Sequence, residues 1–133
     1  MDKHILSFDL GTGGNKASLY GEEGNCLASA FVPYSTHYPH VGWHEQRPAD
    51  WWNAVVESTR MLLNSSGMDK KSIVGLGISG HSLGAVPVDE GGNPLRDATP
   101  IWSDIRAQKE VARFFEIIDP DEWYLTTGNG FPA

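Results

Sequence analysis

Cysteine and long apolar runs are the two features that this sequence most clearly lacks. Among its 133 residues Cys26 is the only cysteine, which excludes an internal disulfide and is typical of a reducing compartment. No apolar stretch reaches the about 18 residues that a membrane-spanning helix needs, and the N-terminal residues do not form a signal-peptide pattern. These absences predict a cytoplasmic protein with no membrane partner.

Basic residues are also scarce. Ten Lys and Arg stand against 17 Asp and Glu, which gives a net charge of −7. The basic residues are scattered, and the Lys70-Lys71 pair is too short to form a patch, so nucleic acid is excluded as a partner. Neither repeats nor low-complexity segments are present, and 40% hydrophobic with 20% charged residues is ordinary for one globular domain.

Short apolar runs between glycine-rich turns predict strands. The pattern predicts five of them, at residues 5–9, 16–20, 26–32, 73–79 and 84–88. The first three form an antiparallel meander. Between Ile73 and Ser79, glycines alternate with apolar residues, which indicates a buried strand against which another element packs closely.

Two helices complete the predicted α/β fold. The first begins near Pro48 and ends before Gly67, because proline suits a first helical turn and glycine a C-terminal stop. The second begins near Ser103 or Asp104 and runs to Phe115, and segments 33–48 and 126–133 are loops. A mixed sheet with flanking helices is therefore predicted. The helical stripe expected in the core consists of Trp51, Val55 and Leu62, with Trp52, Val56 and Leu63 beside it.

A glycine-rich turn follows the first strand, between Phe8 and Lys16. It is neither a Walker A loop, which needs Gly-Lys-Ser/Thr, nor the dinucleotide fingerprint, because Lys16 stands where the third glycine belongs. Its glycines leave backbone N–H groups open to an anion, Thr12 adds a hydroxyl, and Asp9 can hold a hydrated Mg²⁺ that bridges phosphates. An ordinary β-turn capped by Asp9 fits the same spacing equally well.

Five segments together carry a family resemblance. Asp-Leu-Gly-Thr at 9–12 resembles the first phosphate motif of the actin-like ATPases, a superfamily of sugar kinases, acetate kinases and Hsp70 chaperones. The other four resemble, in order and spacing, motifs of the FGGY carbohydrate kinases, and of xylulokinases in particular. They are Gly-Trp-x-Glu-Gln-x-Pro at 42–48 with Trp51-Trp52 after it, the glycine strand 75–81, Trp-x-Asp-x-Arg at 102–106, and Thr-Gly-Asn at 127–129.

The resemblance implies a fold, cofactors and a substrate. The fold is the actin-like ATPase (ribonuclease H-like) fold, with residues 1–133 as the N-terminal part of the first, sugar-binding domain and the ATP-binding domain absent. ATP and Mg²⁺ are the implied cofactors, and a sugar or polyol is the implied substrate. The implied phosphate and Mg²⁺ site contains Asp9, Gly11, Thr12, Gly13 and Lys16, with Asp9 acting on the metal through water. The implied sugar site contains His81, Ser82, Leu83, Trp102 and Asp104.

One triplet departs from the family pattern. At this position the glycerol kinases of the family carry Gln-Arg-Glu and the xylulokinases carry Gln-Met-His. This sequence has His81-Ser82-Leu83 instead. Because buried polar contacts discriminate between hydroxyl patterns, a pentulose, another ketose and a polyol all stay open as substrates. Arg106 is expected to orient Asp104. Trp102 and Asp104 equally suit a buried indole and a helix N-cap.

The resemblance also implies that the catalytic base lies beyond residue 133. The chain is therefore expected to be a fragment of a longer kinase and inactive alone. The alternative is a non-catalytic binding or assembly module, which could form a homodimer through an exposed sheet edge. A small nuclease would need several carboxylates at strand ends, and only Asp9 is so placed. His37, His40 and His44 are expected to be loop residues, and Trp43, Trp51 and Trp52 to anchor the core and the loop.

Overall fold

The computed structural model describes residues 2–130, which form two sheets and three α-helices. The main sheet contains β1 (His4–Leu10), β2 (Gly14–Tyr20), β3 (Cys26–Pro33) and β5 (Ile73–Gly80), and the smaller one contains β4 (Glu45–Gln46) and β6 (Thr99–Pro100). The helices are α1 (Pro48–Ser66), α2 (Gln108–Phe115) and α3 (Pro120–Thr127), with a 3₁₀ turn at Lys70–Ser72.

The main sheet is mixed, with the strand order β3-β2-β1-β5. Antiparallel pairing of β1 with β2 and of β2 with β3 confirms the predicted meander. β5 returns after α1 and pairs in parallel with β1, in a register that sets Leu10 beside Gly80. The carboxyl ends of β1 and β5 therefore lie at the same edge of the sheet.

Helix α1 covers one face of this sheet. It begins with Pro48 and stops at Gly67, whose φ of 63° is left-handed, as predicted. The stripe it buries is Ala54, Ser58 and Leu62. Leu62 joins a core whose other buried members are Leu6, Phe8, Ala17 and Leu19.

The predicted stripe was wrong for Trp52, which is 66% exposed. Small residues face the sheet instead, because the buried Asn15 of β2 donates a hydrogen bond of 2.8 Å to Ser58 Oγ. A large side chain at Ala54 or Ser58 would hold the helix away from this contact. Trp51 and Val55 lie at the margin of the interface, half-buried.

Strand β5 is not buried within residues 2–130. It is an edge strand, and Val74, Leu76 and Ile78 are exposed on the same face as the core residues of β1. The sequence predicted its strand character from composition, but the burial of an edge depends on what lies beside it.

Three other predictions differ from the structure. Segment 84–88 is not a strand, and only Val88 forms a bridge, with Pro94. Helix α2 begins at Gln108, because Asp104 is engaged in contacts outside the helix. α3 was not predicted, although Asp119 caps it by accepting from the N–H groups of Asp121 and Glu122. The loop predicted for 126–133 begins only after Thr127, and residues 131–133 lie outside the described residues.

Segment 33–48 is mostly irregular, as predicted, but its end pairs with a distant part of the chain. Glu45 lies opposite Pro100 and Gln46 opposite Thr99. Beyond the ribbon the two segments stay together, because the N–H groups of Ile101 and Ile105 donate to the carbonyl oxygens of His44 and Gly42. Among residues 2–130, no helix has both the length and the apolar character that crossing a bilayer requires.

Candidate functional site

The turn between β1 and β2 is closed by local bonds and open to solvent at its tip. Gly11 N–H donates to Gly14 O at 3.0 Å. A Cβ on Gly14 would lie 2.6 Å from the Val32 carbonyl oxygen, so only glycine fits there. Thr12 and Gly13 are exposed, and within residues 2–130 their N–H groups have no hydrogen-bond acceptor. The tip can therefore receive an anion.

Asp9 and Lys16 lie on the sheet face opposite α1. They are cross-strand partners and both are exposed. Together with Ser7, Ser18 and Ser79 they line an open cavity of about 410 Å³. A carboxylate and an ammonium group are thus available side by side next to the glycine turn.

The turn and the segment after β5 share a second cavity, of about 240 Å³. This shared pocket is lined by Asp9, Leu10, Gly11, Thr12, Gly80, His81, Ser82 and Trp102. Trp102 Nε1 donates to Thr12 Oγ1 at 2.9 Å across 90 residues of sequence. The hydroxyl acts as acceptor in this bond, so its own proton remains available for a phosphate oxygen.

Gln46 holds the turn from behind and is completely buried. Its Nε2 donates to Thr12 O and to Thr36 Oγ1, each at 2.7 Å, and its Oε1 accepts from Trp51 Nε1 at 2.9 Å. The Trp51 ring in turn stacks on the His81 ring, with centroids 5.2 Å apart. One amide therefore contacts both the glycine turn between β1 and β2 and Trp51, the neighbour of His81 in the segment after β5.

Tyr34 supports the same turn, because its hydroxyl donates to Gly11 O at 2.5 Å. Burial, together with the nearby Asp9 charge, raises the Tyr34 pKa to about 12. The phenol therefore stays protonated and remains a donor at any physiological pH. The sequence offered no signal for Tyr34. It placed Gln46 only within a family motif and predicted for Trp51 only a role as an anchor of the core or the loop.

His81 combines a half-buried ring with an unpaired nitrogen. Its Nε2 is buried and has no hydrogen-bond partner in residues 2–130. Burial lowers the pKa of His81, and the proximity of the Gly11 backbone, which raises it, offsets only part of this shift. A neutral imidazole can either donate to or accept from a ligand hydroxyl.

Asp104 is buried and its carboxylate is fully engaged. It accepts from the His44 N–H at 2.7 Å and, at 2.6 to 3.0 Å, from the Arg106 N–H, Nε and Nη2. Arg106 also bonds Glu45 at 2.8 Å and stacks on Trp43, its Cζ 3.8 Å from the ring centroid. Burial alone would raise the pKa of Asp104, but these bonds hold it at about 2.

The structure brings six of the predicted site residues to the shared pocket: Asp9, Gly11, Thr12, His81, Ser82 and Trp102. Lys16 reaches only the neighbouring open cavity, and Gly13 stands at the exposed tip of the turn. Leu83 is 61% exposed, with an unusual left-handed φ of 63°, and Asp104 lines neither cavity.

Of the three histidines of the loop, His40 and His44 contact other side chains, whereas the buried Nε2 of His37 has no hydrogen-bond partner within residues 2–130. His44 Nδ1 lies 2.8 Å from Ser103 Oγ, and His40 packs edge-on against Trp43. Nowhere in residues 2–130 do three side chains of metal-ligating type converge.

Comparison with known proteins decides the family. A sequence profile of the FGGY family of carbohydrate kinases, N-terminal domain, matches residues 4–132. The chain belongs to the FGGY family of carbohydrate kinases. This confirms the family resemblance carried by the five segments.

Individual relatives agree with the family. A xylulose kinase of Staphylococcus xylosus is 32% identical over 108 residues, 81% of this chain and 22% of its own length. The L-xylulose/3-keto-L-gulonate kinase of Escherichia coli K12 is 34% identical over 127 residues, which are 96% of this chain and 25% of the relative's own length. This chain thus spans about a quarter or less of the relatives that it matches.

Solved structures support the fold in the same way. A xyloylose kinase from Brucella ovis has a TM-score of 0.86 and 33% identity, over 97% of this chain and 26% of its own. A xylulose kinase from Rhodospirillum rubrum has a TM-score of 0.81 at 26% identity. The predicted actin-like ATPase fold is confirmed, and the described residues form part of such a domain.

Proposed function

We propose that this chain is part of an ATP-dependent sugar kinase of the cytosol. In it, residues 1–133 supply the first phosphate motif and part of the sugar pocket of the first domain. The observation that carries the proposal is the shared pocket, in which Thr12 and Trp102 are joined directly. A phosphoryl donor and its acceptor must lie within reach of each other, and this pocket sets the two predicted sites side by side.

The turn between β1 and β2, residues 11–13, is called the phosphate turn because it fits the polyphosphate of a nucleotide. Thr12 and Gly13 are exposed and their N–H groups have no acceptor within residues 2–130, Gly11 adds no side chain, and Lys16 is the cross-strand partner of Asp9. Mg²⁺, when bound with ATP, neutralises charge that develops on the transferred phosphoryl group. We assign Asp9 to holding that ion through water.

The sugar is assigned to the other wall of the pocket. His81 offers its unpaired Nε2 to a hydroxyl, Ser82 adds a second polar group, and the exposed Trp102 face suits the C–H groups of a sugar. Leu83 stands next to this wall. Asp104 does not line this pocket, and Arg106 and the His44 N–H already occupy its oxygens, so we do not assign it to the sugar.

Activity is expected in the full-length polypeptide and not in the 133-residue chain. Among the residues that line the shared pocket, Asp9 is assigned to the metal and His81 to binding a sugar hydroxyl, so we assign the base to a residue outside this chain. ADP formation should be measured for both with MgATP and a panel of D-xylulose, L-xylulose, gluconate and glycerol.

Turnover by the short chain would contradict the assignment of the base. If the full-length polypeptide phosphorylates nothing in a broad screen of ketoses and polyols, the kinase proposal fails. Concentration-dependent dimerisation of the chain through the exposed edge of β5 would then favour the binding or assembly module.

Replacing Leu83 by His is expected to change the choice of sugar. A polar side chain at this position adds a hydrogen-bonding group beside Ser82, and such contacts discriminate between hydroxyl patterns. The ratio of kcat/KM between two sugars should change about tenfold or more, whereas the KM for ATP should stay within about twofold. Leu95→His, at an exposed leucine outside the pocket, is the control. An unchanged sugar profile would contradict the assignment of Leu83 to the sugar site.

A further inference from the structure

We propose that Gln46 is a positioning residue that couples the sugar segment, His81 to Leu83 after β5, to the phosphate turn, so that a bound sugar tightens the binding of the nucleotide. The inference rests on the proposed function. It concerns a residue that lines neither cavity and that acts only through its contacts with Thr12 and Trp51.

The Gln46 amide restricts the motion of both Thr12 and Trp51. Both of its N–H donors and its carbonyl oxygen are used, at 2.7, 2.7 and 2.9 Å, and no part of the residue reaches solvent. Because a buried polar group that loses its partner is costly, these bonds form or break together. A movement of Trp51 therefore changes the position of the Thr12 carbonyl.

Trp51 carries the contact onward to the sugar wall. Its ring is inclined by only 29° to the His81 ring and stacks on it. His81 is also the residue whose Nε2 lacks a partner in residues 2–130. A ligand that binds this nitrogen fixes the His81 ring, and through the stack it fixes the Trp51 indole that holds Gln46.

The result expected is positive cooperativity. The first ligand restricts the motion of the contacts that run from Thr12 through Gln46 and Trp51 to His81. The second ligand therefore binds to a site that is already ordered. By linkage the effect is reciprocal: a nucleotide on the turn must tighten sugar binding by the same factor. This coupling distinguishes a positioning role from a purely structural one, which would change stability alone.

The test measures binding of a non-hydrolysable ATP analogue with Mg²⁺ to the full-length polypeptide by calorimetry. It is done with and without a saturating amount of the panel compound that gives the highest kcat/KM. In the wild type the sugar should lower the Kd of the analogue about tenfold. In Gln46→Met, which keeps the length of the side chain but forms none of the three bonds, this factor should fall below about twofold.

Two further variants separate coupling from stability. Trp51→Phe removes the bond to Gln46 Oε1 but keeps a ring on His81, and it should also lose the coupling. If Gln46→Met does not fold, Trp51→Phe by itself tests the coupling between sugar and nucleotide binding. Ser58→Ala removes a buried hydrogen bond of similar length under α1, away from both cavities, and should keep the full factor.

The two proposals fail in different ways. A wild type that neither binds the analogue nor phosphorylates a sugar overturns the kinase proposal, and the inference with it. An active wild type without coupling overturns only the role of Gln46. The same holds if coupling survives in both Gln46→Met and Trp51→Phe.

Discussion

Replacing Asp9 by Asn in the full-length polypeptide is expected to lower kcat about 10³-fold, which is about 4 kcal/mol of transition-state stabilisation. The amide has nearly the shape of the carboxylate but lacks the charge that holds a hydrated metal. Asp9 is exposed on β1, next to the glycine turn and opposite Lys16, so the change creates no buried defect. Initial rates at saturating MgATP and sugar measure the effect.

Glu23→Gln is the matched control. It removes an exposed carboxylate from the β2–β3 turn, at the opposite end of β2 from the phosphate turn, and should leave kcat within about twofold. The unfolding midpoint of Asp9→Asn should also match that of the wild type. Nearly normal activity in Asp9→Asn would contradict the metal role and favour the ordinary β-turn.

The second large effect is on stability. Asp104→Asn should lower the free energy of unfolding by about 2 to 4 kcal/mol at pH 7, because it removes one partner of a buried ion pair. Arg106 keeps Glu45 and the Trp43 ring, which limits the loss. Urea unfolding of the full-length polypeptide, followed by tryptophan fluorescence, measures it.

The effect of Asp104 has a defined pH dependence. Its pKa is about 2 in the folded chain, below the ordinary 3.8, so its contribution is complete above about pH 4 and is lost as the pH falls towards 2. The difference between wild type and Asp104→Asn should therefore be constant from pH 7 to about pH 4 and shrink below it. Asp97→Asn, at an exposed aspartate, should show no such difference. A gap that persists unchanged at pH 2.5 would refute the ion-pair explanation.

Local patterns predicted much of the fold. The strands of the meander were placed within about two residues, because glycine turns interrupt apolar runs at short range. α1 was bounded correctly by Pro48 and Gly67 for the same reason. The stripe it buries was not, since large apolar residues were expected where Ala54 and Ser58 make the contact. Their small size matters only once Asn15 is known to lie opposite them.

The candidate site could be predicted as a set of residues but not as an arrangement. Its motifs named Asp9, Thr12, His81 and Trp102, and these do line one pocket. The sequence could not show that Asp104 faces Arg106 and the His44 backbone rather than the pocket. Nor could it show the role of Gln46, because an amide in an irregular loop has no periodicity that predicts its partners.

The sequence by itself determined the family, the meander, the glycine turn and the limits of α1. These depend on neighbours within a few residues or on motifs in a fixed order. Only the tertiary structure decided that Thr12 meets Gln46 and Trp102, which are 34 and 90 residues away, and that β5 forms an exposed edge. Such contacts arise from the parallel return of β5 and from the ribbon of β4 and β6, and the free energy that selects them comes from packing and buried hydrogen bonds summed over distant segments.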